Sequence, residues 1–94
     1  MNNLPDLELL ESTHTFPGNY TFKVIGAADD NFIGRVVAAV RSELEESVEP
    51  SFSFRKTSGE RHVCVTIEPP VENGEHVLAI YQSLQQVEGL VMLL

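Results

Sequence analysis

The hydrophobic residues of this chain change their spacing in a fixed order, and that order limits the folds open to it. Every second residue is apolar from Tyr20 to Val24, which is the period of a strand. From Phe32 to about Ser47 the spacing becomes three and four residues, as on an amphipathic helix, and Pro50 stops it. Two more alternating stretches, a second helical stretch and a last apolar run follow. The order strand, helix, strand, strand, helix, strand predicts an α+β fold: a ferredoxin-like βαββαβ sandwich, with a four-stranded antiparallel sheet and two helices on one face.

The middle strands are predicted as a hairpin. Phe52 and Phe54 alternate with polar residues, the turn lies at residues 57–60, and the returning strand runs to Ile67. A second helix follows Pro69-Pro70, Gly89 closes it, and Leu90 to Leu94 form the last strand. The side chains expected to face the helices are Phe22, Val24, Phe52, Phe54, Val63, Val65 and Ile67.

We expect the chain to divide into an N-terminal arm, residues 1–18, and a single ferredoxin-like domain, residues 19–94. Leucines in the arm alternate with acidic residues, so the arm either forms a helical turn packed on the body or frays. The last strand is apolar on both faces, and such strands usually have both faces covered. The arm or a second subunit could provide the cover, so we expect a homodimer through the sheet face or edge as one alternative.

Charge excludes some partners. Six Lys and Arg face fourteen Asp and Glu, for a net charge of −8, whereas binding to nucleic acid or an anionic membrane needs a basic surface. The lone cysteine, Cys64, cannot form an internal disulfide, which favours a reducing compartment. The first residues lack the pattern of a signal peptide, and no apolar run approaches the length of a membrane span. We expect a cytoplasmic protein without a membrane or nucleic-acid partner.

The junction of the first strand and first helix is the predicted ligand site. Backbone N–H groups at a helix start can receive a small ligand, and the candidate residues are Gly26, Asp29, Asp30 and Asn31. Any ligand there should carry a cationic or neutral polar group, since two aspartates oppose an anion. The structural alternatives are a tight turn at the glycine and helix capping by the acidic residues.

The second predicted site is an interaction surface on the open face of the sheet, carried by Lys23, Arg55, His62 and Cys64. The His62 and Cys64 side chains share this face, but the sequence identifies no group to orient the histidine. His14, His62 and His76 lack the spacing of metal ligands. We therefore predict no catalytic residue, no metal and no cofactor.

Several segments resemble the YbeD-like family of small bacterial proteins of unknown function. They are Phe16-Pro17, the strand from Tyr20 to Gly26, Ser58-Gly59, residues 63–67, residues 80–84 and residues 91–94. The resemblance implies a fold close to ACT regulatory domains, which bind small effectors such as amino acids, often at subunit interfaces. Members are sometimes called lipoate regulatory proteins, a label that no residue here supports. The chain departs from the family pattern at Glu60-Arg61-His62 and at Val91.

Together these observations predict a non-enzymatic regulatory or small-ligand-sensing module. The alternative is a protein–protein adaptor that binds no metabolite and presents the acidic residues Glu43, Glu45 and Glu46, or a sheet edge, to its partner.

Overall fold

The computed structural model describes residues 4–29, 31–57 and 59–94. Its helices are α1 (Leu7–Thr13), α2 (Phe32–Arg41) and α3 (Gly74–Gln85). Its strands are β1 (Gly18–Asn19), β2 (Phe22–Ala27), β3 (Ser51–Lys56), β4 (His62–Glu68), β5 (Pro70–Val71) and β6 (Leu90–Leu93). None of the helices in these ranges is long and apolar enough to cross a membrane.

The main sheet has the strand order β3-β4-β2-β6, with every neighbouring pair antiparallel. Alternation along β2 and β4 sends one row of side chains to the helices, and Phe22, Val24, Val65 and Ile67 are fully buried there. Helices α2 and α3 cover this row with residues spaced three or four apart, among them Val36, Val40, Ile80 and Leu84. The predicted α+β ferredoxin-like fold is confirmed.

Phe52 and Phe54 were expected in the core, but they are exposed. Their register opposite Ile67 and Val65 puts them on the predicted, helix-facing side of the sheet. However, Phe52 is 45% exposed and Phe54 55% exposed. The main contacts of α2 with the sheet are with β2 and β4, and those of α3 with the main sheet are with β6, so the helix layer is centred away from the β3 edge. Alternation determines which way a side chain faces, but burial needs a covering element.

Helix α2 ends at Arg41, earlier than the predicted limit near Ser47. Residues 42–49 form turns instead, with N–H groups bonding to carbonyls three residues earlier at Val40, Arg41 and Glu45. The acidic residues of this segment would lie at the negative end of a longer helix dipole, which disfavours its extension. The segment becomes a loop between α2 and β3.

The arm packs on the body as a helix, one of the two predicted alternatives. Asp6 caps α1 by accepting the N–H of Glu8, and Leu10 is only 3% exposed. The Glu11 carboxylate accepts the N–H of Gly74 at 2.6 Å, so α1 is tied to the start of α3. After a turn at Phe16-Pro17, β1 pairs with β5 in a small two-stranded ribbon.

The described part of the arm leaves the open face of the last strand uncovered. Met92 lies opposite Ile25 on that face and is 50% exposed. On the other side of the strand, Leu4 packs against the core and lines a small cavity with Tyr81 and β6. The expectation that the arm covers the open face is therefore wrong for residues 4–18. Cover by a second subunit stays a prediction.

Candidate functional site

On the side of Gly26 where a side chain would project, the space is filled by another side chain of the protein. A Cβ atom added to Gly26 would overlap the ring of Phe32 and lie 2.7 Å from the carbonyl oxygen of Gly89. Glycine is required at this point of β2 because the Phe32 ring, at the start of α2, and the turn between α3 and β6 both approach its backbone closely. The closeness leaves no room for a ligand between Gly26 and the Phe32 ring.

Asp29 beside this junction is held by an ion pair. Its Oδ2 accepts a hydrogen bond from Nη2 of Arg35 at 2.9 Å, and its Oδ1 accepts the N–H of Asn31 at 2.9 Å. The Arg35 hydrogen bond is the main reason that the pKa of Asp29 is lowered. Arg35 also donates from Nε to the carbonyl of Glu88 at 3.1 Å. Asn31 is the N-cap residue of α2 and, in the part of the chain that the structure describes, no side-chain hydrogen bond caps the helix, so Asp29 orders the turn before α2 rather than capping it. Asp30 lies outside the described residues.

The four residues of the predicted interaction surface share the open face. Register places Arg55 beside Cys64, and Cys64 beside Ile25, while His62 lies opposite Ala27. Lys23 bonds across the sheet from Nζ to Thr66 Oγ1 at 3.1 Å. Cys64 is a half-buried free thiol, and no hydrogen bond joins it to His62 within the described ranges. The face therefore combines polar and apolar side chains.

A cavity of about 420 Å³ lies elsewhere, where the α2–β3 loop meets β5 and the start of α3. Its size falls in the range usual for small-molecule sites, roughly 300–1,000 Å³. Three stretches of chain that are far apart in sequence form its walls. The lining residues are Pro17, Gly18, Glu43, Leu44, Glu45, Val48, Pro70, Val71, Glu72 and His76.

His76 ties two walls of the cavity together. Its Nδ1 accepts the backbone N–H of Glu72 at 3.1 Å, and its Nε2 lies 2.7 Å from the carbonyl oxygen of Glu43. An N–H can only donate and a carbonyl oxygen can only accept, so both bonds together require a neutral imidazole with its proton on Nε2. The ring therefore sets the distance between the α2–β3 loop and the segment after β5.

The lining contains both apolar and acidic side chains. Leu44, Val48 and Val71 supply the apolar surface, and three glutamates supply the charge. Ser83 already donates to Oε2 of Glu43 at 2.7 Å, whereas Glu45 and Glu72 are exposed. The lining contains neither Lys nor Arg. The lining therefore combines apolar side chains with three carboxylates.

Sequence reasoning missed this site because it placed residues 43–47 in the first helix. Two signals in the sequence favour an earlier helix end. Glutamates concentrate where the helix dipole opposes them, and Ser42, whose hydroxyl bonds back to the carbonyl of Ala39, precedes them. The third wall comes from residues 70–76, and no periodic pattern could have connected the two segments.

Comparison with known proteins identifies the family. The model for a protein family of unknown function, DUF493, matches residues 11–94. The chain belongs to that family. The match covers the whole sheet, α2, α3 and the end of α1, and it agrees with the resemblance to YbeD-like proteins.

Several relatives carry the name UPF0250 protein. One from Shewanella frigidimarina is 36% identical over 75 residues, which are 80% of this chain and 83% of the relative. Another from Shewanella piezotolerans is 34% identical over 83 residues, 88% of each chain. A third, from Shewanella amazonensis, is 32% identical over 75 residues, again 80% of this chain and 83% of the relative. All three share nearly the whole domain.

A solved structure supports the fold from an independent direction. The ACT domain from GTP pyrophosphokinase of Chlorobium tepidum superposes with a TM-score of 0.59, covering 82% of this chain and 95% of that domain. Sequence identity is 8%, so the similarity is one of architecture alone. The ACT-like fold expected from the sequence is thereby confirmed.

Proposed function

We propose that this DUF493 protein is a non-catalytic, cytoplasmic regulatory module that binds a small organic cation. The observation that carries the proposal is the 420 Å³ cavity with its apolar and acidic lining. The ACT-like architecture supports it, since the sequence resemblance implied effector binding by domains of that fold. The ligand position proposed here replaces the Gly26 junction, where the Phe32 ring fills the space.

The chemistry of the walls defines the ligand class. An aliphatic or aromatic group fits against Leu44, Val48 and Val71, and its burial is favourable by about 25 cal/mol per Å². An ammonium or similar cation then lies near Glu45 and Glu72. A carboxylate in that position meets like charges, so we expect amines to bind and acids of the same shape to be rejected.

Binding would act on the protein by joining three separate segments. The cavity walls come from the Pro17-Gly18 turn, the α2–β3 loop and residues 70–76, so a ligand contacts all three at once. A ligand that binds only the folded arrangement stabilises it by about 2.7 kcal/mol at one hundred times its Kd. The regulatory signal is then a shift of the population towards the arrangement in which the three segments meet.

A matched set of probes tests the proposal. Hexylamine, hexanol and hexanoate share one apolar chain and differ in charge. We expect hexylamine to raise the melting temperature the most, hexanol less, and hexanoate not at all. Equal responses to all three probes, or no response to hexylamine at millimolar concentration, would contradict the proposal.

Charge-neutralising variants give the residue-level control. Glu45→Gln and Glu72→Gln should each weaken hexylamine binding by roughly two- to fivefold, the range typical of exposed ion pairs. Glu46→Gln removes the same charge from the same loop at a position outside the lining. The affinity of the Glu46→Gln variant for hexylamine should stay close to that of the wild type. If the three variants behave alike, general electrostatics rather than the cavity binds the amine.

A further inference from the structure

Strand β3 is a free edge of the main sheet. It pairs with β4 on one side, and within the described residues no strand pairs with its other side. All six of its side chains are exposed, including Phe52 and Phe54. A long edge with exposed aromatic residues is a surface that proteins normally cover or use for strand pairing.

The alternation of hydrogen-bonded pairs between β3 and β4 shows which backbone groups of β3 have no partner in the sheet. Thr57 donates its N–H to the carbonyl of His62 at 2.9 Å, so this opposed pair is hydrogen-bonded. Hydrogen-bonded and non-hydrogen-bonded pairs alternate along an antiparallel ladder. Ser53 and Arg55 therefore bond towards β4, whereas Phe52 and Phe54 direct their N–H and C=O groups away from the sheet.

We propose that two copies of the chain associate by antiparallel pairing of their β3 strands, about a two-fold axis at Ser53. Phe52 of each copy then lies opposite Phe54 of the second copy, and these two pairs exchange four backbone hydrogen bonds. Cross-strand aromatic pairs stabilise such a ladder. The result is one continuous eight-stranded sheet with all the helices on the same side.

Charge favours this register. Arg55 and Lys56 lie at one end of β3, and Glu49 lies just before its other end. Pairing about Ser53 brings the basic end of each strand to the acidic end of the other. Glu49 is highly exposed and holds only a surface ion pair with Arg41, so its carboxylate remains accessible to a second cation. Pairing centred on Arg55 would instead oppose like charges.

The proposal is independent of the cation site, because no residue lining the cavity belongs to β3. A single-strand interface is small, so we expect a weak dimer with a Kd on the order of 100 μM. The two proposals therefore fail separately: loss of amine binding leaves the pairing intact, and a monomer can still bind amines.

Disulfide trapping tests the register. In a Cys64→Ser background, Ser53→Cys puts two thiols across the two-fold axis with Cα atoms about 4.5 Å apart, inside the range for a disulfide. Ser51→Cys is the matched control, since its Cα atoms would be separated by about 13 Å along the strands. We expect mild oxidation to link the Ser53→Cys chain and to leave the Ser51→Cys chain monomeric. Equal yields, or no link in either, would overturn the proposal.

Sedimentation equilibrium of the unmodified chain gives a second, independent measurement. The wild type should show a reversible dimer as its concentration approaches ~1 mM, and Phe54→Lys should be monomeric throughout. Val91→Lys adds the same charge at an equally exposed apolar residue of β6 and should dimerise like the wild type. A wild type that stays monomeric at ~1 mM, or equal losses in both variants, would refute the β3 interface.

Discussion

Single residues at the start of α2 show how the junction that was predicted to bind a ligand is packed. The sequence placed Gly26, Asp29 and Asn31 together, and the structure does bring them close. What the sequence could not show is the direction of the Phe32 ring, which lies against Gly26. Nor could it show that Arg35, six residues after Asp29, turns back to pair with it.

Gly26→Ala should destabilise the fold by about 1–3 kcal/mol, the usual cost of forcing an extra group into a packed core. The new Cβ would overlap the Phe32 ring and approach the Gly89 carbonyl, a backbone atom that cannot rotate away. Urea unfolding measures the change. Gly34→Ala is the control: its Cβ meets nothing within 4 Å, and replacing an exposed helical glycine should stabilise by about 0.5–1 kcal/mol. An equally stable Gly26→Ala variant would contradict the close packing.

The Asp29–Arg35 pair predicts a pH dependence. The pKa of Asp29 is lowered in the folded protein, chiefly by the Arg35 hydrogen bond. A lowered folded pKa gives stability that is present above the unfolded value near 3.8 and is lost as pH falls through the folded pKa. Wild type should therefore exceed Asp29→Asn in stability at pH 7, with the difference shrinking below about pH 4. A difference that grows as the pH falls would contradict this ion pair.

The elements that could be predicted are those long enough to contain several repeats of a hydrophobic period. The two long helices and four main strands appear in the expected order because each extends over several repeats of its period. The ribbon strands β1 and β5 have two residues each and therefore carry no period. Phe52 and Phe54 face the predicted side of the sheet but stay exposed, because alternation says nothing about where a helix above the sheet is centred.

Helix α1 should contribute to stability although it lies outside the βαββαβ body. Leu10→Ala removes a side chain that is almost fully buried in the common core, so we expect a loss of about 2–4 kcal/mol on thermal or urea unfolding. The adjacent Leu9 is 58% exposed, and Leu9→Ala should change stability by less than about 0.5 kcal/mol. Equal effects at the two positions would show that α1 does not pack as described.

At the scale of the whole molecule, the candidate site depends on contacts between distant segments. The Pro17-Gly18 turn, the α2–β3 loop and residues 70–76 meet at the cavity, and His76 sets their spacing. Each segment is a turn, a loop or an element end, where the sequence has no repeating pattern. The fold class was therefore predictable from the sequence, whereas the cavity was not. Part of the net charge of −8 is concentrated at the cavity, because three of the glutamates line it.

The most direct test of the cation site is a titration of the ¹⁵N-labelled protein with hexylamine, followed by two-dimensional NMR. We predict saturable shifts concentrated at the amides of Leu44, Val48, Val71 and Glu72, which surround the cavity. The same titration of the Glu45→Gln/Glu72→Gln double variant should need several-fold more amine to reach half-saturation. Shifts centred on Gly26 and Phe32, or spread without saturation over the acidic surface, would contradict the account.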